Sequence, residues 1–229
     1  MPRPIRIAPG GMVFHVLNRG VGRMRIFDHQ DDYLAFERVM EETLETRPMR
    51  ICAYCLMPNH WHMVLWPEHD GDLAAFMQRL TVTHVARWQR NKHRVGYGHV
   101  YQGRFKSFPV ETDEYFYQVV RYVERNPLRA NLVKDLDEWR WSSFWRYRQG
   151  TVSEKRLLSS WPLDHPREWK CHVERPQTES EEAALRRSIA RCCPLGQEAW
   201  ARLVAEQLNL TSTLAARGRP RKVRSTRNV

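Results

Sequence analysis

No stretch of this 229-residue chain holds the roughly 18 consecutive apolar residues that a membrane-spanning helix needs. The opening residues, M-P-R-P-I-R-I-A-P-G-G, lack the apolar core of a secretory signal. Cysteine is scarce: five residues, an odd number without framework spacing, argue against a secreted disulfide scaffold. No internal repeat is visible. Acid is in deficit, with 26 Asp and Glu against 37 Lys and Arg and a formal charge of +11. These absences predict a soluble, cytoplasmic protein with a polyanionic partner, such as nucleic acid or an anionic surface.

The positive excess is uneven. Residues 217–229 carry Arg217, Arg219, Arg221, Lys222, Arg224 and Arg227 and no acid. Taking those six from 37 leaves 31 basic against 26 acidic residues, so the body is only mildly basic. The Arg-Gly-Arg-Pro stretch at 217–220 suits a narrow minor groove or a run of phosphates. A disordered, solubilising end is the alternative. In the body, an apolar fraction of 42% with nine tryptophans permits a substantial core.

Periodicity sets out the elements. Residues 12–18 read as a strand, followed by a basic, Gly-containing loop at 19–23. Residues 31–46 read as a helix capped by Asp28 or Asp31. A second strand at 49–56, a turn at 57–59 and a third strand running on toward Pro67 make a hairpin. A second helix covers 72–91. Residues 89–106 form a loop in which Arg90, Lys92, Arg94, Arg104 and Lys106 alternate with Tyr97, Tyr101 and Phe105. Cations of this kind hold phosphates while the rings stack on bases; an ordinary solvated cationic loop is the alternative. A short strand follows at 105–110. A third helix spans 113–129, capped by Thr112 or Asp113 and kinked or ended near Pro127. An aromatic cluster lies at 139–147, a looser stretch at 150–178, and two helices at 179–192 and 197–208. That helical pair reads as a buttress on the main domain or as a helix-turn-helix reader. The expected division is a catalytic domain at 1–149, a helical accessory region at 150–216 and a basic tail at 217–229.

Two constellations carry chemistry. The run M-P-N-H-W-H-M-V-L-W-P at 57–67 places His60 and His62 two apart on a strand, hence on one face, with Trp61 and Met63 on the other. Neutral imidazoles ligate divalent metals. On the third helix, Tyr122 and Asn126 are four apart and share a face. A metal held by two imidazoles and an amide oxygen polarises a phosphate oxygen, and a neighbouring phenol attacks phosphorus. A phenol, ordinarily of pKa about 10, needs activation for this. The bland reading makes Tyr122 a core aromatic. Cys52 and Cys55 upstream invite a zinc site, but their odd spacing is expected to set the two sulfurs on opposite strand faces.

The joint pattern resembles the HUH single-tyrosine transposases of insertion sequences, and within them the REP-associated tyrosine transposases of bacteria. The likeness rests on F-H-V-L-N-R-G (14–20), M-P-N-H-W-H (57–62), Q-G-R-F-K-S (102–107), R-Y-V-E-R-N-P-L-R-A (121–130), W-S-S (141–143) and R-G-R-P-R-K (217–222). It implies an α+β fold, an antiparallel sheet backed by helices (a ferredoxin-like HUH nuclease core), here with a C-terminal helical extension and basic tail. It implies a nucleoid-associated enzyme that cleaves and rejoins single-stranded DNA at repetitive extragenic palindrome hairpins, through a 5′-phosphotyrosine intermediate and a free 3′-hydroxyl. Mg²⁺ or Mn²⁺ is the implied cofactor, with His60, His62 and Asn126 as ligands and Tyr122 as nucleophile. Many related transposases carry glutamine where Asn126 stands. Hairpin contact is expected from Asn18, Arg19, Arg90, Lys92, Arg94, Tyr101, Arg104 and Lys106, and from Arg217, Arg219, Arg221 and Lys222. Related enzymes act as swapped homodimers, and the resemblance implies a monomer or a homodimer here. The rival reading is a catalytically silent protein that binds DNA or RNA hairpins.

Overall fold

The apolar run at 60–66 is buried along nearly its whole length, which needs a sheet covered on both faces, and the computed structural model, which describes residues 7–215, has that arrangement. Strands β1 (Val13–Arg19), β2 (Arg50–Met57), β3 (His60–Trp66) and β4 (Lys106–Val110) form one antiparallel sheet in the order β2-β3-β1-β4. Helix α1 (Gln30–Thr46) joins β1 to β2, and α2 (Asp72–Asn91) joins β3 to β4. This is the split β-α-β plan of a ferredoxin-like core.

Helices α1 and α2 pack together on one face, over Phe14, Val16, Ile51, Tyr54, Leu56, Trp61, Met63 and Leu65. On α1, Asp32 rather than Asp28 or Asp31 supplies the cap: its carboxylate accepts from the backbone of Asp28 at 2.8 Å and His29 at 3.1 Å. The opposite face is covered by α3 (Glu114–Glu124), whose apolar side rests on Val13, Ala53, Val64, Phe108 and Val110. Asp113 caps α3 by accepting from Tyr115 N at 2.8 Å. The run at 113–129, expected to kink or end near Pro127, breaks at Arg125, and a short α4 (Asn126–Arg129) follows with Pro127 in its first turn.

Downstream lie α5 (Ser143–Gln149), α6 (Val152–Lys155), α7 (Trp169–Glu174), α8 (Glu179–Arg191), α9 (Glu198–Gln207) and α10 (Thr211–Leu214). They fasten onto the sheet's two edges. Ser159 N donates to Ile51 O at 2.9 Å and Trp161 Nε1 to Cys52 O at 2.7 Å, at the β2 edge. Leu195 exchanges backbone hydrogen bonds with Pro109 and Glu111 at the β4 edge. Covering both edges in this way removes the open backbone that would otherwise pair with another chain. The cysteine expectation fails here. A register shift between Ile51 and Ala53 is a bulge, so Cys52 and Cys55 both line the α3 face. Both are free, and burial drives both thiols up, Cys52 to about 12, which keeps them protonated.

Glu124 of α3 ties the extension to the core. Its Oε2 accepts from Trp169 Nε1 at 2.7 Å, and Ser143 Oγ lies 2.6 Å from Oε1. Burial pushes this carboxyl up to about 7, against both hydrogen bonds. The ordinary glutamate value is 4.5, so the folded state holds the proton more tightly than the unfolded chain. The stability this gives is complete at acid pH and falls away as pH rises through about 7, by roughly 3 kcal/mol. Denaturant melts across that window should show the decline in the wild type and a flatter profile in Glu124→Gln.

Candidate active site

Alternation along β3 points His60 and His62 to the α3 face, and Trp61, fully buried, to the other. The imidazoles meet nearly perpendicular, with ring centroids 5.0 Å apart. His60 Nδ1 contacts Asn59 Oδ1 at 2.6 Å, and His62 Nδ1 contacts His15 Nε2 at 2.9 Å. His15 stacks on His62 at 5.1 Å and 6°. Burial is the main reason all three rings are held neutral: His60 and His15 fall to about 3, and His62 lies well below its ordinary value. The charges of Arg19 and Arg129 add to the effect on His60.

Tyr122 stands against this group. Its ring lies 5.6 Å from His62 and 6.2 Å from His15, edge-on to both. Asn126 is buried beneath it. Pro127 has no N–H to give to the last turn of α3, and the Asn126 amide takes over, donating from Nδ2 to Tyr122 O at 2.8 Å and Val123 O at 3.2 Å. That orients Oδ1 outward, where Arg129 Nη2 donates to it at 2.8 Å. The same Nη2 donates to the Tyr122 hydroxyl at 3.0 Å, and the guanidinium lies over the phenol ring at 4.4 Å. The expected nucleophile and expected ligands are therefore brought together.

The residues suit a divalent cation by a definite test. Two neutral imidazoles have Nδ1 already engaged, which leaves Nε2 of each for a metal, and the Asn126 amide oxygen is turned toward Arg129, which also holds the Tyr122 hydroxyl. Among the described residues no set of three or more His, Cys, Asp or Glu side chains is placed to hold a metal ion. A cation at the histidine pair thus takes its further ligands from amide, water or substrate oxygen, the donors that Mg²⁺ and Mn²⁺ prefer.

The basic surface sorts the DNA-contact expectations into two groups. Arg19 pairs across the ladder with His60, so it sits at the imidazole end of the sheet. The loop before β4 is knit to that end: Gln102 N donates to Arg19 O and Val21 N to Val100 O, both at 2.9 Å. Gly20 lets the turn after β1 close tightly on itself, since a Cβ there would lie 2.4 Å from Met24 O. Arg90, Arg94, Arg104 and Lys106 are exposed. Lys106 Nζ also donates to Ile189 O at 3.2 Å.

Three expectations need correction. Tyr101 is buried, accepting from Trp61 Nε1 at 3.0 Å and bonded to His84 Nδ1 at 2.7 Å, so its ring is not offered for stacking. Tyr97 is the exposed ring of that loop. Lys92 is committed to Asp32 at 2.8 Å and Asp28 at 3.3 Å. Asn18 is buried, with Nδ2 donating to Gly103 O and Oδ1 accepting from Arg19 N, and it holds the loop rather than a ligand. Arg217, Arg219, Arg221 and Lys222 lie outside the described residues.

Two site residues escaped the sequence reading. His15 lies two positions from Leu17, the cross-strand partner of His62, so alternation gives its face, and the β1–β3 register sets it diagonally beside that ring. Arg129 lies seven residues after Tyr122, two helical turns along the same side.

The family model described as "Transposase IS200 like" matches residues 10–126. The chain is 25% identical over 146 residues to a putative REP-associated tyrosine transposase of Haemophilus influenzae, covering 60% of this chain and 81% of the relative. It is 26% identical over 143 residues to the REP-associated tyrosine transposase of Escherichia coli, with 60% and 78% covered. Among solved structures, a REP-associated tyrosine transposase bound to a REP hairpin superposes with a TM-score of 0.52 at 20% identity, covering 78% of this chain and 99% of the other. At that identity the superposition speaks for the fold. Among the described residues, no helix is long and apolar enough to cross a membrane.

Proposed function

Because the chain belongs to the IS200-like transposase family, we propose that it is a metal-dependent nuclease and strand transferase acting on single-stranded DNA at palindromic hairpins. The observation that carries this reading is the Tyr122 phenol packed edge-on against His62, in reach of Asn126 and Arg129. Tyr122 Oη attacks the scissile phosphorus; the new O–P bond forms as the P–O3′ bond breaks. The phenol proton passes to solvent, and the departing 3′ oxygen is protonated to a hydroxyl. The DNA 5′ end stays on the tyrosine until a 3′-hydroxyl reverses the step.

His60 and His62, through Nε2, with Asn126 Oδ1, would hold Mg²⁺ or Mn²⁺. When bound, such a cation supplies Lewis-acid polarisation of a phosphate oxygen. The hydrogen bonds of His60 to Asn59 and of His62 to His15 keep the rings aimed. Arg19, Arg94 and Arg104 grip phosphates at the same end of the sheet, and Tyr97 offers a face to an unpaired base.

The deciding experiment incubates the protein with an end-labelled DNA hairpin carrying a single-stranded flank, with Mg²⁺ or Mn²⁺, and separates the products on a denaturing protein gel. A labelled band at the protein's mass supports the nuclease. Tight binding without such a band, at any divalent metal, points to a silent hairpin-binding protein instead.

Salt adds a second readout. Each phosphate neutralised contributes roughly −0.7 to the log-log slope of affinity against salt on single strands. Deleting residues 217–229 is expected to flatten that slope by about 2 or more while cleavage persists. An unaltered slope would leave the tail no part in DNA binding.

A further inference from the structure

We propose that Arg129 is a catalytic residue: its guanidinium stabilises the negative charge on Tyr122 Oη both when that oxygen attacks phosphorus and when it leaves. The inference rests on the nuclease reading above and adds to it the group that activates the nucleophile.

The geometry is specific. Arg129 Nη2 donates to Tyr122 Oη at 3.0 Å and to Asn126 Oδ1 at 2.8 Å, and the guanidinium carbon lies 4.4 Å from the centre of the phenol ring. One nitrogen therefore holds the reacting oxygen and the amide together, while the cation faces the ring that shares the charge. Both contacts strengthen as the phenol becomes phenolate: a hydrogen bond to an ionised acceptor is roughly twice as strong as one to a neutral acceptor, and a cation beside the ring gains as the ring turns anionic. A contact stronger in the charged state than in the ground state accelerates the step.

The role cannot be that of a base. A guanidinium has five N–H donors and no acceptor, and it stays charged at working pH. It holds charge in place while the proton goes to solvent. Arg129 is also exposed, so the N–H groups that Nη2 does not use remain open to a non-bridging oxygen of the incoming phosphodiester. The helix break supports this placement. With Asn126 and Pro127 ending α3, Arg129 lies in the short α4 that folds on from it, close enough to Tyr122 for a direct bond.

The test compares wild type, Arg129→Lys, Arg129→Gln and Arg129→Ala in the full chain, on the labelled hairpin with Mn²⁺, following adduct formation across a pH series. Arg129→Gln is expected to slow the adduct by roughly 10²-fold near neutral pH. The deficit should shrink as pH rises, because hydroxide in solution then removes the phenol proton without the cation's help. Arg129→Lys should recover part of the rate, and added guanidinium ion should restore part of it to Arg129→Ala, while hairpin affinity changes by only a few-fold. A purely structural arginine would give a loss that is flat with pH and insensitive to guanidinium, and that result overturns the proposal. So does a wild-type rate and pH profile in Arg129→Gln. If the wild type itself forms no adduct, the nuclease reading falls and takes this role with it; an active wild type with indifferent Arg129 variants removes only the role.

Discussion

Tyr122→Phe is expected to give no covalent protein–DNA product, while Tyr115→Phe and Tyr117→Phe are expected still to give one. The substitution removes a single oxygen from a ring that keeps its edge contacts with His62 and His15, so the fold is expected to survive. What is lost is the oxygen proposed to carry the phosphate. The other two phenols on α3 are placed for other work. Tyr117 donates its hydroxyl to Asp164 O at 2.7 Å and packs against Phe116, Trp161 and Trp169, on the side facing the extension. Tyr115 packs at the rim of the core cluster beneath α3. Removing either hydroxyl leaves the imidazoles and Arg129 untouched. Mass spectrometry of the tryptic peptide carrying the nucleotide checks the assignment directly: a modified Tyr115 or Tyr117 would displace Tyr122 from its role.

His60→Ala is the substitution with the second largest expected effect. His60 is half-buried and bonded mainly to Asn59, so its loss costs little packing. Lewis-acid stabilisation by a bound metal is worth several kcal/mol. Losing a ligand should therefore lower the adduct rate on the order of 10³-fold and push metal saturation to much higher concentration. Hairpin binding without metal is expected to stay within a few-fold of wild type. A metal titration curve unchanged in His60→Ala would remove the histidine pair from the metal site. His62→Ala is a less clean probe. It takes from His15, fully buried, its one hydrogen-bonding contact; Nδ1 of that ring already has none. Leaving a buried polar group unsatisfied costs about 1–3 kcal/mol, so a stability loss accompanies the loss of rate.

Much of the site was legible because it is built from short-range periods. Two histidines two apart on a strand must share a face, and a tyrosine and an asparagine four apart on a helix must share a side. Neither statement depends on the rest of the molecule. The same is true of the capping of α3 by Asp113 and of the hairpin turning at Pro58 and Asn59. The break at Arg125 was foreshadowed by Pro127. What it does to Asn126 was not: the amide nitrogen is drawn back onto two carbonyls, and that choice alone turns the oxygen toward Arg129.

The cationic loop shows where such reasoning ends. Alternating rings and charges at 89–106 looked like one surface, yet Tyr101 turns inward to Trp61 and His84, and Lys92 turns back to α1. No local period distinguishes Tyr97 from Tyr101. The difference is made by a buried indole N–H some forty residues away that needs an acceptor.

By itself, then, the order of residues determined the four strands and the helices between them, the face on which each histidine lies, and the spacing of the phenol from the amide. These follow from the fixed rise and turn of the backbone. Only the tertiary structure decided that α3 lies across the histidine face, that a bulge brings Cys52 and Cys55 to one side, and that His15 and Arg129 join the site. The packing of α3 and the place of His15 are settled by partners far apart in the chain, while the bulge and Arg129 depend on how the backbone departs from its regular period at 51–53 and at 125.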